Sequence, residues 1–471
     1  MAGIVSYGAY IPIYRLDRGL IWQVWGRIPV AGEKAVANFD EDSVTMAVEA
    51  GNNCLQGFDR DEVDGLFLAS TTTPYKEKQC ANLVAEALDL KRGTMTADFT
   101  NSIRAGTIAT RTALDAIAAG TAKKVLVVAA DCRIGHPSTE YEQSFGDGSA
   151  ALLLGNSDII ASVDGSHTHY DDILDFWRLD GDTFVRSWED RFIINHGYID
   201  NIQEAVKDIT QKYGLTPSDF SKAVLYAYDG RRHLQLARRL NFDANTQLQD
   251  NMFSTVGNTG AAYTLMMLVA ALEEAKAGEK ILVANYGDGA DAFILTVTEG
   301  IARLGDRRAI KYHLPSKLPL PSYDSYLRYR GLIQGYAFFE NQSSATISWR
   351  DRRWNINCRG EKCLVCGNIN FPTQKICMYC QSKDQFEEVR LSDRKAKLFT
   401  YSKDFLGPSL DSPIILCILD FDEGGRFYAQ MTDRDPDKVE DGMPVELTFR
   451  WMHSERGIRN YYWKCRPLRV A

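Results

Sequence analysis

Residues Lys123–Ala129 read KKVLVVA, and 156 residues later Glu279–Asn285 read EKILVAN. Both are apolar, β-branched runs of the kind that forms a strand buried on both faces. Their surroundings repeat as well. A short polar loop, Thr100-Asn101-Ser102 in one case and Gly257-Asn258-Thr259 in the other, opens a helix of small residues over Arg104–Ala119 and Gly260–Ala275. After each strand comes a GDG turn, at Gly146-Asp147-Gly148 and Gly287-Asp288-Gly289, then a second apolar run, Ala150–Leu154 or Ala292–Val297. Chance supplies one matched helix–strand pair. The same order of loop, helix, strand, turn and strand, met twice, predicts two related α/β halves.

The chain has 471 residues, more than one core ordinarily serves. Arg303–Pro321 (RLGDRRAIKYHLPSKLPLP) carries four basic residues before Tyr312 and three prolines after it. It reads as an exposed linker, because proline interrupts both helix and sheet. The predicted organisation is a first half over 1–160, a second half over 161–302, the linker over 303–321, a helical segment with a cysteine cluster over 322–390, and a small β domain over 391–471.

In that cluster, Cys363-x2-Cys366 and Cys377-x2-Cys380 are separated by ten residues. Four thiolates at this spacing close a tetrahedron around Zn²⁺, and Gly367 supplies the turn that a metal knuckle needs. A site of four thiolates is closed, which predicts a structural ion and not a Lewis acid. Cys358 stands outside the pattern. Beyond it, Lys397–Ser402, Ile414–Phe421, Arg426–Thr432 and Val445–Trp451 are separated by turn residues at Asp422-Glu423-Gly424-Gly425 and Asp441-Gly442, which predicts a small barrel of the OB type. Such barrels often bind nucleic acid. Here the net charge is −8 and the aromatic and basic residues gather mainly in the tail, Arg450 to Arg469, so no nucleic-acid partner is expected. No membrane association is expected either: no apolar run reaches spanning length, and MAGIVSYGAYIPIYRL lacks the order of a secretory signal. The expected location is cytoplasmic.

Several stretches carry a resemblance. Gly3–Pro12 (GIVSYGAYIP), Gly32-Glu33-Lys34-Ala35-Val36, Asp40-Glu41-Asp42, Thr45–Ala50 (TMAVEA), Asp175-Phe176-Trp177-Arg178, Arg191-Phe192 and Gly257–Ala261 (GNTGA) together resemble a 3-hydroxy-3-methylglutaryl-CoA synthase-like member of the thiolase superfamily. From about Ser322, the paired cysteines, Phe371-Pro372, Asp441–Val445 (DGMPV) and Asn460–Pro467 (NYYWKCRP) resemble the rubredoxin-like zinc-ribbon and OB-fold domain that accompanies acyl-CoA thiolases and aldolases. The resemblance implies two βαβαβαββ halves stacked in five layers, a tight homodimer, a coenzyme A thioester as substrate, and Claisen-type condensation. That chemistry uses a cysteine at a buried helix N-terminus, a histidine and, in the synthases, a glutamate.

The family's catalytic set is altered in this chain. The nucleophile's motif reads Asn101-Ser102-Ile103-Arg104-Ala105-Gly106-Thr107, so Ile103 stands where a thioester would form. Thr71 takes the glutamate position. Tyr226 takes the histidine position, with Tyr228, Asp229 and His233 close enough in sequence to share the assignment, while Asn258 matches the family's polar partner. Cys132 and Cys80 read as structural thiols. Arg231 and Arg232 are candidates for the CoA phosphates, Arg238 and Arg239 equally a solvated helix face, and Trp177 and Arg178 candidates for the adenine end. His167, His169, His196 and Lys34 read as structural. Three readings follow, in this order: an aldolase or retro-aldolase acting on a 3-hydroxyacyl-CoA, with Tyr226 as acid–base group and Asn258 as enolate donor; a catalytically silent acyl-CoA-binding subunit that partners an active paralogue; and a condensing acyltransferase using other residues.

Overall fold

The computed structural model describes residues 2–26, 30–333, 343–407 and 409–469. The first half contributes strands β1 (Gly3–Tyr10), β2 (Gly65–Ala69), β3 (Met95–Phe99), β4 (Lys124–Asp131) and β5 (Gly148–Gly155). The second contributes β6 (Ala161–Tyr170), β7 (Lys222–Leu225), β8 (Lys280–Tyr286) and β9 (Gly289–Val297). They form one sheet in the order β7-β8-β9-β6-β1-β5-β4-β2-β3.

Read from its outer edge inward, each half has the same order and the same strand directions. β2 runs parallel to β3 and β4, and β5 is antiparallel to β4 and β1. Likewise β7 runs parallel to β8, and β9 is antiparallel to β8 and β6. A single parallel bridge from Leu248 to Ala223 stands where β3 has its counterpart. The halves join where β1 and β6 pair, Gly3 opposite Ser162 and Ile4 opposite Ala161. The KKVLVVA and EKILVAN runs are thus equivalent strands, β4 and β8.

Five helices build the layers: α1 (Ser43–Leu55), α2 (Ala105–Ala118), α3 (Asp200–Tyr213), α4 (Gly230–Arg239) and α5 (Tyr263–Leu272). α1 packs on β1, β4 and β5 from one side and α3 on β6, β8 and β9 from the other. α2 and α5 form the middle layer, and α5 touches strands of both halves. Every residue of α5 (YTLMMLVAAL) is buried, as a helix apolar all round must be. This is the five-layered arrangement that the thiolase resemblance implies.

The C-terminal region adds a three-stranded ribbon, Arg359–Cys363, Ile369–Asn370 and Phe386–Arg390, and a closed barrel. The barrel strands are β10 (Ala396–Asp404), β11 (Ile414–Phe421), β12 (Arg426–Met431), β13 (Pro444–Glu455) and β14 (Ile458–Pro467). The end of β13 and β14 form the stretch that reads in sequence as a basic, aromatic tail. Its cations turn inward. Arg450 and Arg466 are almost fully buried and face the loop before α1 and α1 itself. Arg450 is 3.2 Å from Asp40, 2.7 Å from Glu41 and 2.5 Å from the barrel's own Asp433. Arg466 is 2.9 Å from Glu49, and Lys464 is 2.9 Å from Asp40. One apolar cluster also runs from α1 (Val44, Val48) into the barrel (Leu447, Phe449, Trp463).

The stretch 303–321 is not an exposed linker. Ala309, Ile310, His313 and Leu320 are buried, and Leu318–Pro319 runs parallel to Tyr14–Arg15. The amides of Leu318 and Leu320 donate to Ile13 and Arg15, 2.8 and 2.7 Å away. Pro319 occupies the intervening edge position, where no ladder donor is needed. Proline there limits pairing to one side without expelling the segment from the core.

Breaking the buried interface is expected to be costly. Arg450→Met leaves Asp40, Glu41 and Asp433 without their shared cation and should cost about 3–5 kcal/mol in denaturant unfolding. A change within experimental error would show that the buried charges do not hold the barrel in place.

Candidate active site

Tyr226 follows directly on β7, with its amide donating to Ala284 of β8 at 2.8 Å. Asn258 sits in the loop that leads into α5, pinned by its own amide to Ser144 and by its carbonyl to Gly146, 2.8 and 3.1 Å away. The two side chains meet: Asn258 Nδ2 donates to the Tyr226 hydroxyl at 2.7 Å and to the Ala227 carbonyl at 3.3 Å. Asn258 Oδ1 accepts from Arg133 Nη2 at 2.8 Å and from the Gly260 amide at 3.0 Å. Both of those partners can only donate, so the amide's orientation is set by chemistry. The Tyr226 oxygen is therefore an acceptor, and its own hydrogen is available to a ligand.

Burial raises the Tyr226 hydroxyl above the usual range, while Arg133 and the Asn258 amide pull it partway back. Tyr226 is consequently a neutral phenol at pH 7 and a proton donor. Asn258 was expected as an enolate donor. Its amide hydrogens are committed to Tyr226 and Ala227, so what it does in this structure is hold the tyrosine.

Both residues line a pocket of about 440 Å³. Its walls are aromatic. Phe176 stacks on Tyr228 at 6.1 Å and meets Tyr141 edge-on at 5.5 Å. Asp229, Arg231 and Arg232 stand at the start of α4 on the same pocket. Asp229 caps that helix by accepting from the Arg232 amide at 2.8 Å, and its carboxylate is 3.3 Å from the Arg232 guanidinium. Arg238 and Arg239 lie farther along α4 with Arg231, on a separate outer depression.

Tyr226, Asn258, Arg231 and Arg232 thus come together as expected from the sequence, while four other positions do not join them. Trp177 and Arg178 are not among the lining residues. In an extended segment neighbours point to opposite sides, and it is Phe176 that faces the pocket. Arg178 instead donates to the Thr71 carbonyl. Thr71 is bound to Asp131 through its amide (2.7 Å) and its hydroxyl (3.0 Å). Ile103 is buried ahead of α2 and packs against Gly287.

His233 is buried under α4 against Asn251 at 2.9 Å, and burial lowers it to about 4, so it is neutral at pH 7. His169 bonds Asn201 (2.8 Å) and His196 bonds Asp200 (3.0 Å), while His167 lies 3.5 Å from Asp208. Lys34 donates to the Glu142 carbonyl at 2.5 Å, and burial lowers it to about 7. None of these lines the pocket, and neither does a cysteine. Cys132 faces Ser43 and Thr72, 3.6 and 3.7 Å away.

Sequence reasoning passed over Asp131 and Arg133. Asp131 accepts from Ser70 (3.0 Å), Thr71, Thr72 (2.9 Å) and the Ala261 amide (2.8 Å), tying β4 to the entry of α5. Their signal was positional: Asp131-Cys132-Arg133 stands at the carboxyl end of the KKVLVVA strand, where open α/β sheets gather their ligands.

The four cysteine sulfurs of the ribbon lie within 4.8 Å of one another. Cys363 and Cys380, and Cys366 and Cys377, are each 3.6 Å apart, against about 3.8 Å for the edge of a ZnS₄ tetrahedron. The donor set therefore fits a tetrahedral metal ion.

Comparison with known proteins places this geometry. Hydroxymethylglutaryl-CoA synthase of Methanocaldococcus jannaschii is 32% identical over 345 residues, covering 71% of this chain and all of the relative. The chain belongs to the hydroxymethylglutaryl-CoA synthase family. The family's synthase from Pyrococcus horikoshii is 34% identical over 307 residues, or 64% of this chain and 87% of that protein. A crystal structure of hydroxymethylglutaryl-CoA synthase complexed with CoA superposes with a TM-score of 0.65 at 21% identity, over 73% of this chain and 95% of that one. The 3-oxoacyl-[acyl-carrier-protein] synthase III of Aquifex aeolicus shares the fold, with a TM-score of 0.57 at 22% identity, over 63% of this chain and all of that one. Residues 388–450 match the family model of the ChsH2 C-terminal OB-fold domain. This synthase-family chain therefore carries a barrel that extends it beyond the length of its relatives.

Gly260 holds the cluster open. Its φ is +59°, and a Cβ there would lie 2.3 Å from Asp131 Oδ2 and 2.8 Å from Arg133 Nε. Gly260→Ala should therefore destabilise the protein by about 2 kcal/mol or more in denaturant unfolding. A variant as stable as its parent would contradict this packing.

Proposed function

We propose that this protein makes or breaks a carbon–carbon bond in a 3-hydroxyacyl-CoA by aldol or retro-aldol chemistry, without an acyl-enzyme. The observation that carries the reading is the Tyr226 phenol, held by Asn258 beside Arg133 on the wall of a pocket that no cysteine lines. Ile103 at the family's nucleophile position supports it, since isoleucine forms no thioester. The coenzyme A thioester rests on the names of the relatives, and Arg231 and Arg232 at the start of α4 are suited to its phosphates.

In the cleavage direction the electron pair of the Cα–Cβ bond moves onto the thioester as an enolate. The 3-hydroxyl becomes a carbonyl and releases its proton to solvent. Tyr226 delivers a proton to Cα and is reprotonated from solvent. The products are a shorter acyl-CoA and an aldehyde or ketone. In the reverse direction the same transfers run backwards: Cα gives its proton up to the Tyr226 oxygen, and the nascent alkoxide takes one from solvent.

A second reading, Claisen-type condensation, is supported by the similarity to hydroxymethylglutaryl-CoA synthases and requires a nucleophile other than Ile103. A third, a silent acyl-CoA-binding subunit beside an active paralogue, is supported by Ile103 itself.

The test is to incubate the protein with a panel of 3-hydroxyacyl-CoA thioesters and follow products by mass spectrometry. A shorter acyl-CoA and a carbonyl product are expected, with Tyr226→Phe reducing the rate about 100-fold or more. Binding without turnover across the panel would favour the silent subunit. Condensation of two acyl-CoA thioesters would favour the second reading.

We also propose Zn²⁺ as the ion of the four-cysteine site, in a structural role. Metal analysis should find one zinc per chain, and a Cys366→Ser, Cys380→Ser double variant should lose it. Full zinc content in that variant would place the metal elsewhere.

A further inference from the structure

We infer that Arg133 is a positioning residue, one that holds the Tyr226–Asn258 pair in the single arrangement that leaves the phenol's hydrogen facing the pocket. The inference deepens the role given to Tyr226 above.

Arg133 is 5% exposed and does not line the pocket. It stands behind Asn258, with its guanidinium 4.2 Å from the centre of the Phe145 ring and Nη2 bonded to Asn258 Oδ1. Consider the amide turned over. Its NH₂ would then face Arg133 and the Gly260 amide, three sets of donors with no acceptor between them. A buried charged donor left without its acceptor is among the costlier faults a fold can carry. Turned over, Asn258 would also present its oxygen to Tyr226 and accept the phenol's hydrogen. The proton would then be committed to the amide and withheld from a substrate. Arg133, together with the Gly260 amide, therefore sets which way the Tyr226 hydrogen points.

Its charge acts in the same place. The titratable neighbours of Tyr226 include Tyr198, Tyr263 and Tyr286, whose rings pack on it, Tyr228 on the same pocket wall, and Asp175, bound to Tyr286 at 2.6 Å. All of these are neutral or negative, and Arg133 is the cation that offsets them. Gly260 leaves the space that Arg133 Nε occupies.

The test reads the phenol directly, in the full-length protein. A fluorinated tyrosine introduced at 226, acidic enough to titrate near neutrality, reports its ionisation by absorbance. Arg133→Met should raise the midpoint by about one pH unit or more, tenfold in acidity, and Arg133→Lys should recover at least half of that shift. In an Asn258→Ala background the effect of Arg133→Met should shrink by the part carried through the amide, leaving the part that Arg133 exerts on the Tyr226 hydroxyl directly. An unchanged midpoint in folded Arg133→Met protein would overturn the inference. If that variant does not fold, Arg133→Gln, which keeps a polar donor and removes the charge, should shift the midpoint the same way, and no shift there would overturn it equally. The readout is independent of turnover. Inactivity of the parent toward every thioester would defeat the aldol reading and leave the titration standing.

Discussion

The site depends on how closely α2 and α5 approach in the middle layer. At Gly106 a Cβ would lie 2.5 Å from the Ala261 carbonyl and 3.2 Å from Leu265, so only glycine permits the contact. Two helices from equivalent places in two related halves therefore start side by side. Ile103 and Asn258, which precede them, are brought to the same level of the molecule. Asp131, at the end of β4, reaches across to the Ala261 amide at 2.8 Å and locks the arrangement. A helix buried on all sides cannot shift to accommodate a ligand, and the polar groups at its head are correspondingly rigid.

On that frame the proposed chemistry needs few changes: in the reading put forward above, Ile103 takes the family's nucleophile position, Thr71 its glutamate position and Tyr226 its histidine position, while Asn258 matches its polar partner. Arg133 adds a cation that a phenol, buried and less acidic than in water, can use. The barrel is fixed by a different device. Its inner face presents Arg450, Lys464 and Arg466 to carboxylates of the segment that leads into α1 and of α1 itself. Buried ion pairs add little net stability over apolar packing, but they penalise any misregistered docking severely. The apolar cluster running from α1 into the barrel supplies the adhesion.

Much of this was legible in the sequence. The doubled order of loop, helix, strand, GDG and strand announced two related halves, because buried strands and middle-layer helices are apolar without interruption and stand out from the rest. The paired cysteines announced their cluster because metal geometry constrains spacing. Tyr226, which lines the pocket, could be singled out because a strand and a helix bracket it. Arg133 was missed because its role depends on an asparagine 125 residues away in sequence, a contact that only the sheet order creates. That Phe176 and not Trp177 lines the pocket was not legible, because alternation along an extended segment decides which neighbour faces inward and the sequence does not say where that alternation begins. The stretch 303–321 was misread because proline also fits a strand edge.

The central claim is that the Tyr226 hydroxyl is the group that meets the reacting carbons. A crystal structure with a non-cleavable 3-hydroxyacyl-CoA analogue tests it most directly. The account predicts the analogue's Cα or 3-hydroxyl within about 3 Å of the Tyr226 oxygen, with Asn258 still donating to that oxygen from behind. An acyl chain that stops short of Tyr226, or runs toward Ile103 and leaves the phenol without contact, would contradict it.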